Sequence, residues 1–302
     1  MRPEAIAAAL LSAIIHAGWN AALKASAGDR LVDLGQMAIG GVVFGLALWW
    51  FFGAPPAAAL PYILGSCAIH FVYWTALLRG YAAGDMSHFY TIARGSAPAL
   101  VTIGAVVAAQ EIPSPPVAIG VLLVSVGVGA VGVSLHAPWR ATAWALLTGL
   151  AIASYSLVDA LGARVSGDVL AYKGWGALAT FAPILAFIVM RRGPRRLDEL
   201  GKGRWVRGAV AGALSSAGFV LVLRAQMRAP IGPITALPET SVVFGAAIAA
   251  VMLKEAVTTR RWAGAALVAA GAMLIGIFQS NISRSLTCGC NAERADTLAS
   301  YV

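Results

Sequence analysis

RGSAPALVTIGAVVAAQEIPSPPVAIGVLLVSVGVGAVG, residues 94–132, and PETSVVFGAAIAAVMLKEAVTTRRWAGAALVAAGAMLIG, residues 238–276, are two versions of one pattern. At a fixed offset of 144, Gly120 falls on Gly264, Gly127 on Gly271, Gly132 on Gly276 and Glu111 on Glu255. Upstream, Ala-Leu-Leu-Arg79 lines up with Val-Leu-Arg224 one residue out of step. Leu10-Leu11-Ser12 matches Leu146-Leu147-Thr148 at an offset of 136, which sets Trp19 on Tyr155. A chain that repeats itself over such a length is built from two similar units.

Outward from these stretches the sequence is a succession of apolar runs. A spanning helix needs about 20 mostly apolar residues. Ten runs qualify: 4–24, 31–53, 58–78, 86–109, 115–135, 141–163, 168–190, 206–226, 230–252 and 259–279. They are apolar on all faces, whereas barrel strands alternate over about 10 positions. The expected fold is an all-α membrane protein of ten helices. Residues 1–136 form a first five-helix repeat, 137–280 a second, and 281–302 a polar tail. An odd number of spans per repeat inserts the second copy upside down, the inverted-repeat plan of many secondary transporters.

Composition agrees. Of 302 residues 59% are hydrophobic and 12% charged, against about 25% charged in soluble domains. A soluble enzyme, a disordered chain and a disulfide scaffold are excluded; three cysteines (Cys67, Cys288, Cys290) make no framework. The first run continues into Trp19-Asn20-Ala21-Ala22-Leu23-Lys24 without a cleavage site, so it reads as a span and not a leader. The net charge of +9 belongs to loops and not to a nucleic-acid surface. The loops after helices 1, 3, 5, 7 and 9 hold Lys24, Arg30, Arg79, Arg140, seven Lys/Arg between Arg191 and Arg207, Lys254, Arg260 and Arg261. The other side holds Arg2, Arg164, Arg228, Arg284 and Arg294. The positive-inside rule puts the odd loops in the cytoplasm and both termini outside.

Charges inside spans mark function, because each costs about 2.5–3.5 kcal/mol on insertion scales. Arg94 lies about two turns into helix 4 and Glu239 about two turns into helix 9. The repeat offset sets Gly95 on Glu239, so the two charges are nearly symmetry-related. Both stand beside proline, Arg94-Gly95-Ser96-Ala97-Pro98 and Leu237-Pro238-Glu239. Proline frees a helix carbonyl, and polar backbone at membrane depth is tolerated where it is buried in protein or lines a pathway. Two roles fit. Arg94 can hold a substrate carboxylate and Glu239 an ammonium, or the two can neutralise each other as a structural ion pair.

Polar aromatic residues gather at similar depth. His16, Trp19, Asn20 and Leu23 share one face of helix 1. His70, Tyr73 and Trp74 share one of helix 3; helix 4 adds His88 and Tyr90, helix 6 Tyr155 and Asp159, and helix 7 Tyr172 and Trp175. Such side chains suit an amphipathic ligand. Trp49, Trp50, Trp139, Trp205 and Trp262 lie at span ends and read as an interface belt. The candidate substrate-binding set is Arg94, Glu239, Tyr90, Trp19, Asn20, His16, Tyr73 and Tyr155. The repeated glycines read as packing positions.

These marks together resemble the EamA-type branch of the drug/metabolite transporter superfamily. They are Trp19-Asn20-x-x-x-Lys24 at the end of helix 1, Pro98 between small residues in helix 4, and Glu111 and Glu255, each before a glycine-rich helix. The resemblance covers about residues 4–280. It implies a five-plus-five fold and transport, and the layout is similar to the YddG-type exporters of aromatic amino acids. It also implies termini in the cytoplasm, opposite to the charge count. Among its departures, Gly53–Pro61 lacks the family's basic loop.

The expected function is a secondary transporter that exports amino acids, aromatic or other apolar ones, across a bacterial-type inner membrane by alternating access. The alternative is a proton-coupled drug or metabolite exporter with Glu239 as proton carrier; a membrane-embedded enzyme or receptor ranks below both. No catalytic residue, metal site, nucleotide motif or cofactor is expected. The partners are a small-molecule substrate and the bilayer, with no nucleic acid, and the chain is expected to be a monomer. The charge count predicts that a single cysteine at Gly203, in a background without Cys67, Cys288 and Cys290, resists a membrane-impermeant thiol reagent in intact cells. Rapid labelling there reverses the orientation.

Overall fold

The computed structural model describes residues 3–24, 30–133, 136–193, 202–241, 243–244 and 258–278. Within the helices it describes all side chains but those of 3, 17–24, 30, 86–87 and 202–204. The described residues are helices and short connections, with no strand among them. In order they are α1 (Pro3–Lys24), α2 (Arg30–Phe52), α3 (Leu60–Ala83, entered by a 3-10 turn at Ala57–Ala59), α4 (Met86–Ala109) and α5 (Pro115–Gly132). The second half continues with α6 (Trp139–Ser166), α7 (Val169–Arg192), α8 (Lys202–Gln226), the short α9 (Ile231–Ala236) and α10 (Thr259–Phe278).

Eight of these helices are long and apolar enough to cross a membrane, and Glu4–His16 is a shorter apolar stretch in α1. The chain is a multi-pass integral membrane protein. Helices are the form such runs must take in lipid, since each satisfies its own backbone. Local signals set the ends. Ser114 precedes the two prolines that open α5. Gly167 closes α6 in the left-handed region at φ 71°, which glycine adopts without strain. Asp168 then caps α7, its Oδ1 accepting from the backbone N–H of Leu170 (2.8 Å) and Ala171 (3.2 Å).

The ninth span departs from a continuous helix. After Ile231–Ala236 the chain tightens into a 3-10 turn at Leu237–Thr240. Pro238 cannot donate to the helix ladder, which fits the change to 3-10 winding there, whereas Pro233 stands in the first turn, where no donor is lost. The remainder of that predicted span, Glu255 with it, and the tail with Cys288 and Cys290 lie outside the described residues.

Helices pack where glycine lets backbones meet. Gly40 on α2 and Gly212 on α8 face main chain, Ala209 and Met37 respectively, with no room for a Cβ. The crossing of α5 and α10 uses the repeated glycines. A Cβ on Gly120 would lie 2.9 Å from the Gly271 carbonyl oxygen, and one on Gly271 would lie 2.5 Å from that of Gly120. Gly127 and Gly264 meet in the same way, at 2.8 and 2.7 Å. The contact is reciprocal, as a two-fold relation between 94–132 and 238–276 requires: Gly120 maps to Gly264 while its neighbour Gly271 maps to Gly127. The packing reading of these glycines stands on close backbone approach.

Outward faces carry the predicted belt. Trp49, Trp50, Trp139, Trp205 and Trp262 are all exposed on the described surface. Inward faces carry small and branched apolar residues, as where Ala9, Val124, Val222, Leu237 and Val268 join α1, α5, α8, the 3-10 turn and α10 in one cluster.

The glycine contacts generate a paired test. Gly127→Ala is expected to lower stability by about 1–3 kcal/mol through overpacking. Gly129→Ala, whose Cβ meets nothing within 4 Å, should be neutral or gain up to about 1 kcal/mol in helix propensity. Thermal unfolding in detergent separates the two, and equal effects would contradict the contact.

Candidate functional site

The interior charge pair forms where the ninth span breaks. Glu239 rides on the 3-10 turn after α9 and points to α4. Arg94 Nη2 donates to Glu239 Oε1 at 2.8 Å. Glu239 is nearly enclosed, its side chain 5% exposed, while Arg94 keeps 17%. The two charges are joined directly, a contact compatible with either of the two roles.

Around it stand four of the other six predicted residues. Tyr73 on α3, Tyr90 on α4 and Tyr155 on α6 lie close enough to Arg94 to interact with its charge. His16 on α1 does so as well. Tyr155 is the hub of an aromatic cluster. His70 stacks on it at 4.2 Å between centroids, and Tyr73 meets it edge-on at 5.8 Å. Phe219 on α8 approaches it at 6.2 Å. His70 Nδ1–H donates to the Ser66 carbonyl at 2.8 Å, so Nε2 is the acceptor nitrogen. Trp19 and Asn20 fall on α1, and their side chains lie outside the described residues.

A lock holds one end of this arrangement. Arg164 Nη1 donates to Glu111 Oε1 at 2.6 Å. Its Nε and Nη2 donate to the Gln226 carbonyl at 3.0 and 2.8 Å, and Nη2 also donates to Ala229 at 3.0 Å. The other carboxylate oxygen, Glu111 Oε2, accepts from the Ile231 N–H at 2.6 Å. A carboxylate at the start of α9 and a guanidinium at the end of α8 complement unsatisfied backbone groups there. Four chain segments are thus tied at one point: the residues after α4, α6, the end of α8 and the start of α9. The sequence reading set Arg164 in a loop. It lies in the last turn of α6, because that helix runs on to Ser166.

Sequence reasoning also missed Lys173. It is buried on α7 with its Nζ 4.4 Å from the centroid of the Phe219 ring. Beside it, the Tyr172 hydroxyl donates to Asp159 Oδ1 at 2.9 Å. Gly162 makes that bond possible, since a Cβ there would sit 2.6 Å from the Tyr172 hydroxyl. Lys173 was detectable as an ionisable residue within a span. Its place four residues from the helix start makes it look like a chain that reaches back to the interface.

No group of three or more metal-ligating side chains occurs among the described residues. The arrangement offers fixed charges of both signs and amphipathic rings, which is chemistry for holding a ligand.

Comparison with known proteins agrees with this architecture. Residues 139–277 match the EamA-like transporter family. A solved crystal structure 16% identical in sequence superposes with a TM-score of 0.72, covering 93% of this chain and 99% of that one. That likeness is one of fold. No curated protein matches the sequence.

The ion pair carries its own prediction. Arg94→Ala leaves Glu239 enclosed and unpaired, and should cost about 3–5 kcal/mol. Arg94→Ala together with Glu239→Ala should return most of that loss. Unfolding of the purified variants checks it, and additive losses would show that the two charges do not support each other.

Proposed function

We propose that the whole chain, of which residues 139–277 match the EamA-like family, is a secondary transporter of the drug/metabolite transporter superfamily that exports amino acids. The preferred substrates are aromatic or other apolar amino acids, and the membrane is a bacterial inner membrane. The observation that supports it most is the Arg94–Glu239 pair, enclosed at a broken helix and ringed by Tyr73, Tyr90, Tyr155 and His16. A zwitterion needs one charge of each sign a few ångströms apart in a medium of low dielectric. A substrate entering the pair would trade protein–protein for protein–substrate contacts, and the rings would take its apolar side chain.

Alternating access is the mechanism we infer, with residues 1–136 and 137–280 as inverted repeats that rock about the site between them. The reciprocal glycine contacts of α5 and α10 fit such an axis. The Arg164–Glu111 bond then acts as a latch on one side of the membrane. It joins the residue that follows α4, which carries Arg94, to the start of α9, which leads to Glu239. A latch of this kind would have to open for passage on that side.

Purified protein in liposomes, loaded with labelled phenylalanine, tryptophan, leucine and lysine, tests the proposal. Transport of the aromatic and apolar members is expected. Arg94→Lys should not restore it, because a point charge does not replace a planar two-donor fork. Amino-acid amides should move poorly. A response to an imposed proton gradient without amino-acid transport would favour the drug or metabolite exporter, with Glu239 carrying the proton.

A further inference from the structure

The bundle holds a second cation and a second anion, and this pair is open. Lys173 is 8% exposed and Asp159 4%. They stand on neighbouring helices and attract each other, yet no ion pair closes between them. Among the described residues the partner of the Lys173 ammonium is the face of Phe219, 4.4 Å away. Asp159 accepts from Tyr172 through Oδ1, and no cation reaches its other oxygen among the described residues. Arg94 and Glu239, by contrast, are joined at 2.8 Å.

An ammonium in a low-dielectric interior is costly unless an anion meets it, and a ring face returns only part of that cost. The geometry shows what could supply the rest. Phe219 neighbours both Lys173, 4.4 Å from its centroid, and Tyr155, edge-on at 6.2 Å. Tyr155 lies one helical turn from Asp159 on the same face of α6, and His70 stacks on Tyr155. Positive charge, negative charge and rings thus form one continuous wall. Tyr155 also interacts with Arg94, so the wall continues to the closed pair.

We propose that Lys173 and Asp159 form a second substrate station, separate from Arg94–Glu239. Lys173 receives the carboxylate of a zwitterionic amino acid, and Asp159 its ammonium. The rings of Phe219 and Tyr155 receive the side chain. This deepens the transport reading and rests on it, since a pathway with two neutral charge pairs lets a zwitterion pass from one to the other without lying unpaired between them.

The test is binding to the purified full-length protein in detergent, without a gradient, using three probes, in a background of Arg94→Ala with Glu239→Ala so that the first pair cannot supply the preference. L-Phenylalanine carries both charges, 2-phenylethylamine lacks the carboxylate, and 3-phenylpropanoate lacks the ammonium. That background should bind L-phenylalanine at least about tenfold more tightly than either analogue, a factor of ten being about 1.4 kcal/mol. Lys173→Met should bind L-phenylalanine no better than 2-phenylethylamine, and Asp159→Asn no better than 3-phenylpropanoate. Lys173→Arg should keep the preference. Should the single variants fail to fold, Lys173→Met with Asp159→Leu removes both charges and should bind the three probes alike. The same preference retained in the Lys173 and Asp159 variants of that background, or no preference in the background itself, overturns the station. Transport failure in liposomes with these binding preferences intact would overturn the transporter and leave the station standing.

Discussion

Charge in a low-dielectric interior is the constraint on which the rest of this structure depends. Arg94 and Glu239 come from segments 145 residues apart in sequence, and neither is tolerable alone at that depth. Their contact at 2.8 Å therefore fixes how α4 meets the ninth span. The ninth span tightens to a 3-10 turn where it presents Glu239, beside Pro238. Glu111, just beyond α4, then holds the start of that broken span. One electrostatic requirement thus sets a helix interruption, a helix pairing and a terminal lock.

The backbone answers a second demand, that helices approach closely without a hydrophobic drive between them. Glycine meets it at Gly40 and Gly212, and again at the α5–α10 crossing. The same device serves the polar interior: Gly95, next to Arg94, meets the backbone of Ser125 and Gly129, and Gly162 leaves room for Tyr172.

Much of this was legible in the sequence. Length and apolarity located the helices, with ends within a few residues, because lipid forces each run into one self-satisfied element. The glycine offset of 144 marked positions that pack, and Pro238 beside Glu239 marked where the helix ladder is disturbed. The ion pair was legible as two charges at related depths, although only coordinates distinguish a closed pair from an open one. The Arg164 lock was not legible. It is made of backbone carbonyls at Gln226 and Ala229 meeting a side chain more than sixty residues away, and no sequence pattern encodes that meeting. Lys173 was passed over because nearness to a helix start resembles interfacial anchoring, while its burial comes from Phe219 on a different helix.

Alternating access, proposed for this chain, requires the residues around Arg94 and Glu239 to open to each side of the membrane in turn. A single cysteine at Tyr90, in a background without Cys67, Cys288 and Cys290, reports on it directly. Oriented vesicles are treated with an impermeant thiol reagent from one side and then, in separate samples, from the other. The account predicts modification from both sides, slowed on both by transported substrate. Modification from one side alone, whatever the substrate, would contradict it.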